Sequence, residues 1–130
     1  TRIKTYLGSL KYTPDEMEHP IRELSGGQKA KVLLLRMSLS GANVLILDEP
    51  TRGVDVGAKS EIYEYCNMLA AQGMAIILIS SDLPEVMGMS DRVMVVREGH
   101  IVAAHNRGDA TAEQIMSEMF GLVQPQKVEG

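Results

Sequence analysis

The order of apolar and polar residues along the chain predicts alternating helices and strands. Two short apolar runs, at 44–48 and 75–80, contain β-branched residues and predict buried strands. The apolar residues between them recur at helical spacing, which predicts a helix over 56–72. Further helices are predicted at 28–40, 83–89 and 111–120, and a strand pair at 92–97 and 101–105. This alternation favours an α/β fold with a largely parallel sheet and a carboxyl-terminal hairpin.

Helix caps support several of these boundaries. Thr13-Pro14-Asp15-Glu16 combines an N-cap residue, a proline and a capping-box acid, which predicts a short helix that ends before Pro20. Ser25 precedes the long helix, Gly41 follows it, and Thr111 caps the last helix. The helix boundaries therefore have local chemical causes.

Composition narrows the class of protein. The chain has 130 residues, 45% of them hydrophobic and 23% charged, which is ordinary for one soluble domain. The net charge of −4 gives no reason to expect nucleic-acid binding. Cys66 is the single cysteine, which excludes an internal disulfide, and the longest apolar run, 74–79, is too short to span a bilayer. We expect a cytoplasmic setting, and the absence of an initial Met suggests a fragment.

Two carboxylates directly follow the first predicted strand. Side chains alternate between faces along a strand, so Asp48 and Glu49 are expected to point in different directions. Asp48 suits a hard cation such as Mg²⁺, and Glu49, which Pro50 is expected to hold extended, suits activation of a water molecule. The alternative is a polar loop with two solvated acids.

The start of the long helix is a second candidate site. Ser25, Gly26, Gly27 and Gln28 place backbone amides and a hydroxyl at a helix N-terminus, where a phosphate group is favoured. The alternative is a capped helix start with a flexible turn.

Together, LSGGQ at 24–28 and VLILDEPT at 44–51 resemble the signature and Walker B segments of ABC-type ATPases. The resemblance implies a partial P-loop NTPase-like fold of three layers, with residues 1–123 as the carboxyl-terminal portion of a cassette and 124–130 as a flexible tail. It implies that Asp48 coordinates Mg²⁺ and that Glu49 is the general base. It also implies that Asp55 belongs to the D-loop and that Ser25, Gly26, Gly27 and Gln28 contact ATP held by an opposite subunit.

Two features of the family are missing or altered. The chain contains no G-x-x-x-x-G-K-[ST] sequence, so the loop that cradles the phosphates is absent, and we expect no ATPase activity from the isolated chain. ABC-type ATPases usually place a catalytic histidine after the second strand, where this chain has Ser81. Even a completed cassette is therefore expected to be catalytically impaired.

Different parts of the chain resemble different branches of the family. From about residue 53, TRGVDVGAK and SSDLPEV resemble the second cassette of bacterial simple-sugar importers. Residues 1 to about 45 resemble the ABC-F ATPases, because the Asn of the importer sequence SGGNQQK is missing from the signature. Recombination, engineered fusion or divergence would each explain such a seam.

Three functions follow from these features. The first is a fragment of an importer ATPase that works with Mg²⁺ and ATP, a second cassette and a membrane permease at the inner face of the cell membrane. The second is a soluble ABC-F ATPase that acts in translation. The third is a non-catalytic fragment or fusion that self-associates through an unpaired sheet edge. For His19, His100 and His105 we expect surface positions, because they lack metal-ligand spacing.

Overall fold

The computed structural model describes residues 4, 5, 8 and 12–122. The chain forms two compact units, Thr1–Ile79 and Ser80–Gly130. The first unit contains helix α1 (Gly26–Ser38), strand β1 (Val44–Asp48), helix α2 (Val56–Ala71) and strand β2 (Ala75–Ile79). The second contains helix α3 (Leu83–Met89), strands β3 (Arg92–Arg97) and β4 (His100–Asn106), and helix α4 (Ala112–Met119). The expected tail, 124–130, lies outside the described residues.

In the first unit, β1 and β2 form a parallel pair in the register Val44 to Ala75 through Asp48 to Ile79. Helix α2 packs against β2, and α1 packs against α2. Leu45 and Leu47 of β1 are buried, because every second side chain of the strand turns toward one face. The crossover through α2 is the connection that the sequence predicts.

The other face of this parallel pair is apolar and exposed. Val44, Ile46, Ile77 and Ile79 form this apolar sheet face, and between 49% and 61% of each residue's surface is accessible. The register puts them on one side of the pair, together with Asp48 at its carboxyl end. An exposed apolar patch of this kind is typical of a surface that another element covers.

Polar contacts join α1 to α2. Lys31 is buried, forms an ion pair with Glu61, and lies 5.1 Å from the centre of the Tyr12 ring. Further along the same helices, the hydroxyl oxygens of Ser38 and Tyr65 are 3.1 Å apart. These contacts fix the two helices at both ends of their interface.

The second unit is a hairpin covered by two helices. Strands β3 and β4 are antiparallel, and Glu98 and Gly99 make the turn between them with φ angles of 50° and 78°. These positive angles are those of the tight hairpin turn that the sequence predicts. The hairpin and α4 share a core of Val93, Val95, Ala103 and Ile115.

One histidine differs from expectation. His105 is buried rather than on the surface, and its Nε2 lies 2.8 Å from Oε2 of Glu118 on α4. Its position on the inward face of β4 causes the burial, and Glu118 supplies the polar partner that a buried imidazole requires. The expectation of a surface role for His105 was therefore wrong.

The α/β class is confirmed, and most predicted boundaries hold within a residue or two. The strands form two separate two-stranded sheets, one parallel and one antiparallel. The short helix expected before Pro20 is a 3-10 turn, Glu16–Glu18, and a further 3-10 turn, Ile21–Glu23, follows the proline. His19 is extended, because the following Pro20 disfavours helical backbone, and this ends the first turn. Within the described residues, no helix has the length and apolarity needed to cross a membrane.

Candidate functional site

Helix α1 begins with a reciprocal capping box. The Ser25 hydroxyl accepts a hydrogen bond from the Gln28 backbone N–H at 3.2 Å. The Oε1 atom of Gln28 accepts one from the Ser25 N–H at 2.9 Å. This pairing satisfies two donors that a helix start otherwise leaves open. Ser25 to Gln28, called the signature turn below, is therefore rigidly folded before any ligand binds.

The capping box leaves specific donors for an anion. The backbone N–H groups of Ser25 and Gln28 take part in the capping box. Among the described contacts, those of Gly26 and Gly27, at the start of the helix, do not. The Ser25 oxygen accepts a bond from Gln28, so its own proton can be donated elsewhere. Two amides and one hydroxyl at the positive end of a helix form a suitable phosphate contact.

The two glycines of the signature turn have different surroundings. A Cβ atom added to Gly26 would meet nothing within 4 Å, so a ligand can approach this backbone closely. A Cβ atom added to Gly27 would lie 2.3 Å from Cβ of Ala58 and 3.6 Å from Cγ1 of Val54. Gly27 therefore allows α1 and α2 to pack closely. No pattern in the sequence indicates this packing role.

Asp48 and Glu49 lie at the carboxyl end of β1. Asp48 is the last residue of the strand and is exposed. The Glu49 N–H donates to the Ile79 carbonyl oxygen at 2.8 Å, which continues the parallel pairing by one bond. The Glu49 carbonyl oxygen accepts from the Arg52 N–H at 3.1 Å, which closes a turn. The two acids are thus held by backbone bonds on both sides.

The expectation that Pro50 holds Glu49 extended was wrong. Glu49 has a φ of 47°, in the left-handed region that non-glycine residues rarely adopt. Glu49 lies between the last pairing bond of the strand and the turn closed by Arg52, and a left-handed conformation at such a residue costs about 1–2 kcal/mol. Strain of this kind is concentrated at functional sites.

The side chains around Asp48 suit a metal ion that a substrate phosphate group also binds. Within the described part of the chain, no three His, Cys, Asp or Glu side chains are grouped to hold a metal ion. Mg²⁺ commonly binds to one or two carboxylates and completes its shell with water and substrate phosphates. Asp48, exposed at a strand end, fits that arrangement.

Asp55 has a clear structural role. It is the N-cap of α2, and its Oδ1 atom accepts a hydrogen bond from the Ala58 N–H at 2.9 Å. Because Ala58 also contacts Gly27, the start of α2 lies beside the signature turn. The structure therefore brings the signature turn and the Asp55 segment together within one unit.

Ser81 belongs to the second unit. It is exposed and comes immediately before Asp82, whose Oδ1 atom accepts from the Glu85 N–H at 3.2 Å and caps α3. The sequence predicts this helix start, and the structure confirms it.

Residues outside the predicted site hold the signature turn in place. The Tyr12 hydroxyl donates to the Gln28 carbonyl oxygen at 2.5 Å. Burial, with the nearby charges of Glu16 and Glu61, raises the pKa of Tyr12 to about 12. Glu16 accepts a hydrogen bond from Nε2 of Gln28 at 2.7 Å. Sequence spacing gives no signal for these long-range partners. It indicates Glu16 only as a capping residue of its own turn.

The chain is similar in sequence to ABC transporter proteins and to ATP-binding proteins of sugar import. A family model described as "ABC transporter" matches residues 1–52. The ribose import ATP-binding protein RbsA of Clostridium perfringens is 50% identical over 120 residues, which covers 92% of this chain and 24% of that protein. The xylose import ATP-binding protein XylG of Geobacillus kaustophilus is 53% identical over 108 residues, covering 83% and 21% respectively. This chain thus spans between a fifth and a quarter of the length of these relatives.

Solved structures show the same fold. MJ1267, an ATP-binding cassette of an ABC transporter, has a TM-score of 0.71 and 27% identity, over 87% of this chain and 43% of that chain. The bacterial ABC transporter cassette MJ0796 has a TM-score of 0.66 and 19% identity, over 81% and 45%, and supports the fold alone. The alignment with the ribose import protein covers residues on both sides of the seam expected near 45–53, since it includes 92% of the chain.

Proposed function

We propose that the chain is a portion of an ABC-type ATPase cassette and that it supplies the signature turn and the acidic strand end of an ATP-hydrolysing site that drives import of a simple sugar. The observation that carries this proposal is the start of α1. There the capping box fixes Ser25 and does not use the amides of Gly26 and Gly27, and a helix N-terminus of this kind favours an anion. The relatives named for ribose and xylose import support the choice of a sugar.

Each acid has a proposed chemical role. Asp48 holds Mg²⁺, which when bound neutralises charge on the phosphates. Glu49 accepts the proton of the attacking water, from a backbone position that is held by its bonds to Ile79 and Arg52. Asp55 caps the start of α2, which lies beside the signature turn, and Ser81 stands where we place the histidine of the family. In the assembled enzyme, the signature turn contacts ATP that is bound to a second cassette.

The remaining part of the site comes from outside this sequence. The chain contains no phosphate-binding G-x-x-x-x-G-K-[ST] loop, and the apolar sheet face is exposed. We propose that the amino-terminal portion of a cassette covers this face and places its phosphate-binding loop near Asp48. The complete assembly then works at the inner face of the cell membrane, against a membrane permease.

The importer is favoured over a soluble ABC-F ATPase. Sequence identity of 50% with the ribose import protein extends across 120 residues, so the similarity is not restricted to the carboxyl-terminal part. The net charge of −4 is also unfavourable for a surface that binds ribosomal RNA.

Calorimetric titration with Mg-ATP tests the proposal. We expect the chain alone to bind more weakly than millimolar, and the same chain joined to the amino-terminal portion of a sugar-importer cassette to bind at least about tenfold more tightly. Tight binding by the chain alone would mean that its site is complete without that portion.

A signature variant tests the anion contact. In the joined protein, Gly26→Asp is expected to abolish hydrolysis without loss of folding, because the added side chain enters open space and repels phosphate. Asn67→Asp makes the same change in charge at an exposed position on α2 and serves as the control. Equal hydrolysis by the two variants would count against the proposed contact.

Self-association is a second candidate function, favoured by the same exposed face. Two copies that pack Ile46 and Ile77 against one another would remove these apolar side chains from water. Light scattering after size-exclusion chromatography distinguishes the candidates. A well-folded monomer would contradict self-association and leave the apolar sheet face for the missing portion of the cassette.

A further inference from the structure

Both polar atoms of the Gln28 side chain are hydrogen-bonded within the chain. Oε1 accepts from the Ser25 N–H at 2.9 Å, and Nε2 donates to Oε1 of Glu16 at 2.7 Å. Gln28 therefore connects the Ser25 cap to a carboxylate that lies twelve residues earlier in the sequence. A side chain bonded in this way is already oriented before a phosphate arrives.

The carboxylate of Glu16 is itself fixed on its other side. Its Oε2 atom accepts from the Thr13 N–H at 2.8 Å and from the Thr13 hydroxyl at 2.9 Å. Hydrogen bonds to an ionised acceptor are stronger than those between neutral groups. Glu16 thus has one oxygen anchored on Thr13 and the other oxygen available to hold Gln28.

The main chain of Gln28 is held as well. The Tyr12 hydroxyl donates to the Gln28 carbonyl oxygen, and Tyr12 is only 7% exposed. The tyrosine fixes the backbone at this position, so the bond to Glu16 decides which way the Gln28 side chain points. These two contacts come from different residues of the segment before α1.

We propose that Glu16 is a positioning residue, which acts through Gln28 on the backbone and hydroxyl of Ser25, and that Gln28 relays this contact rather than touching phosphate itself. This role rests on the proposed function of the signature turn. An anion site whose donors are fixed in advance loses less conformational entropy on binding. Glu16 supplies that fixation from outside the helix.

The variant Glu16→Gln breaks the relay with little change in shape. An amide has one acceptor oxygen, so it cannot accept from both Thr13 and Gln28 in the observed arrangement. In the isotope-labelled full chain, we expect hydrogen exchange of the Ser25 amide to accelerate about tenfold and the side-chain amide resonances of Gln28 to shift. The amides of Leu34 and Leu35, deep in α1, are expected to exchange at unchanged rates.

The matched control is Glu18→Gln. Glu18 lies in the same 3-10 turn but bonds to Lys4 instead of Gln28, so its loss is expected to leave Ser25 exchange unchanged. An equal effect of both variants would indicate that only the charge or folding of the turn matters, which would overturn the proposed relay.

Swapping the two side chains is expected to restore the relay. In Glu16→Gln combined with Gln28→Glu, the amide and the carboxylate exchange places, and an acid at the third helical position retains the capping box. We expect the slow exchange of Ser25 to return. The relay is wrong if Glu16→Gln leaves Ser25 exchange unchanged, if all α1 amides accelerate together, or if the double variant shows no recovery.

Inorganic phosphate separates this inference from the proposed function. A phosphate-induced shift of the Gly26 amide in the native chain supports the anion site, and we expect the shift to weaken in Glu16→Gln. No response of Gly26 in the native chain would count against the proposed function, while the exchange rates would still decide whether the relay exists.

Discussion

Gly27 on α1 packs against Ala58 on α2 so closely that a Cβ atom at Gly27 would lie 2.3 Å from Cβ of Ala58. Both atoms would be attached directly to helical backbone, so neither could rotate away. This contact places the signature turn beside the helix capped by Asp55. The second glycine of LSGGQ is therefore explained by helix packing in this chain, whatever its part in ligand binding.

We predict that Gly27→Ala destabilises the chain by about 1–3 kcal/mol, because the added methyl group forces the two helices apart. Gly26→Ala is the control, since a Cβ atom there would meet nothing within 4 Å. Urea unfolding measures both variants. Adding Ala58→Gly to Gly27→Ala removes the opposing methyl group and should recover part of the loss, and additive losses would contradict the close contact.

Acid is predicted to remove the stabilising effect of Glu16. Hydrogen bonds from the Thr13 backbone and hydroxyl, with smaller contributions from Lys31 and Gln28, lower the pKa of Glu16 below its usual value of 4.5. A carboxyl whose pKa is lower in the folded state stabilises the protein above its unfolded pKa, and this effect is lost as pH falls through the lower folded value. Urea midpoints of the native chain and Glu16→Gln should differ by a constant amount above pH 5 and converge below pH about 4.5. A constant difference down to pH about 3 would contradict the shift.

The pair of His105 and Glu118 is predicted to anchor α4 on the hairpin. Both residues are buried, and Nε2 of His105 lies 2.8 Å from the Glu118 carboxylate. His105→Ala should lower the free energy of unfolding by about 1.5–3 kcal/mol, since it leaves a buried carboxylate without this partner. His100→Ala, in the exposed turn end of the same hairpin, should cost less than about 1 kcal/mol. Equal losses would contradict the anchoring role.

The serine at position 81 is predicted to limit catalysis. A hydroxyl has neither the reach nor the ionisable ring of imidazole. In a cassette completed with a phosphate-binding portion, Ser81→His should raise the turnover rate by at least about tenfold. Ser80→His, one residue earlier, is the positional control. An unchanged or lower rate in Ser81→His would show that the family's histidine has no equivalent here.

Local sequence signals predicted much of the fold. The boundaries of β1 and α3 were predicted to the residue, because an apolar run or a capped helix start is determined by neighbours in sequence. The capping box at Ser25 also follows from the spacing of serine and glutamine.

The features that sequence did not predict depend on partners distant along the chain. The left-handed backbone of Glu49 lies between the last pairing bond to Ile79 and the turn that follows it. The burial of His105 requires Glu118 on α4, and the orientation of Gln28 requires Glu16. No periodic pattern carries these pairings, since each joins different elements.

ATP hydrolysis by the chain alone, compared with the chain joined to the amino-terminal portion of a sugar-importer cassette, tests the central claim most directly. That claim is that Asp48 and Glu49 form part of an ATP site whose phosphate-binding loop lies outside this sequence. We predict no turnover by the chain alone and slow turnover by the joined protein that Glu49→Gln abolishes and Glu64→Gln, on the exposed side of α2, does not. Turnover by the chain alone that disappears in Glu49→Gln would contradict the account.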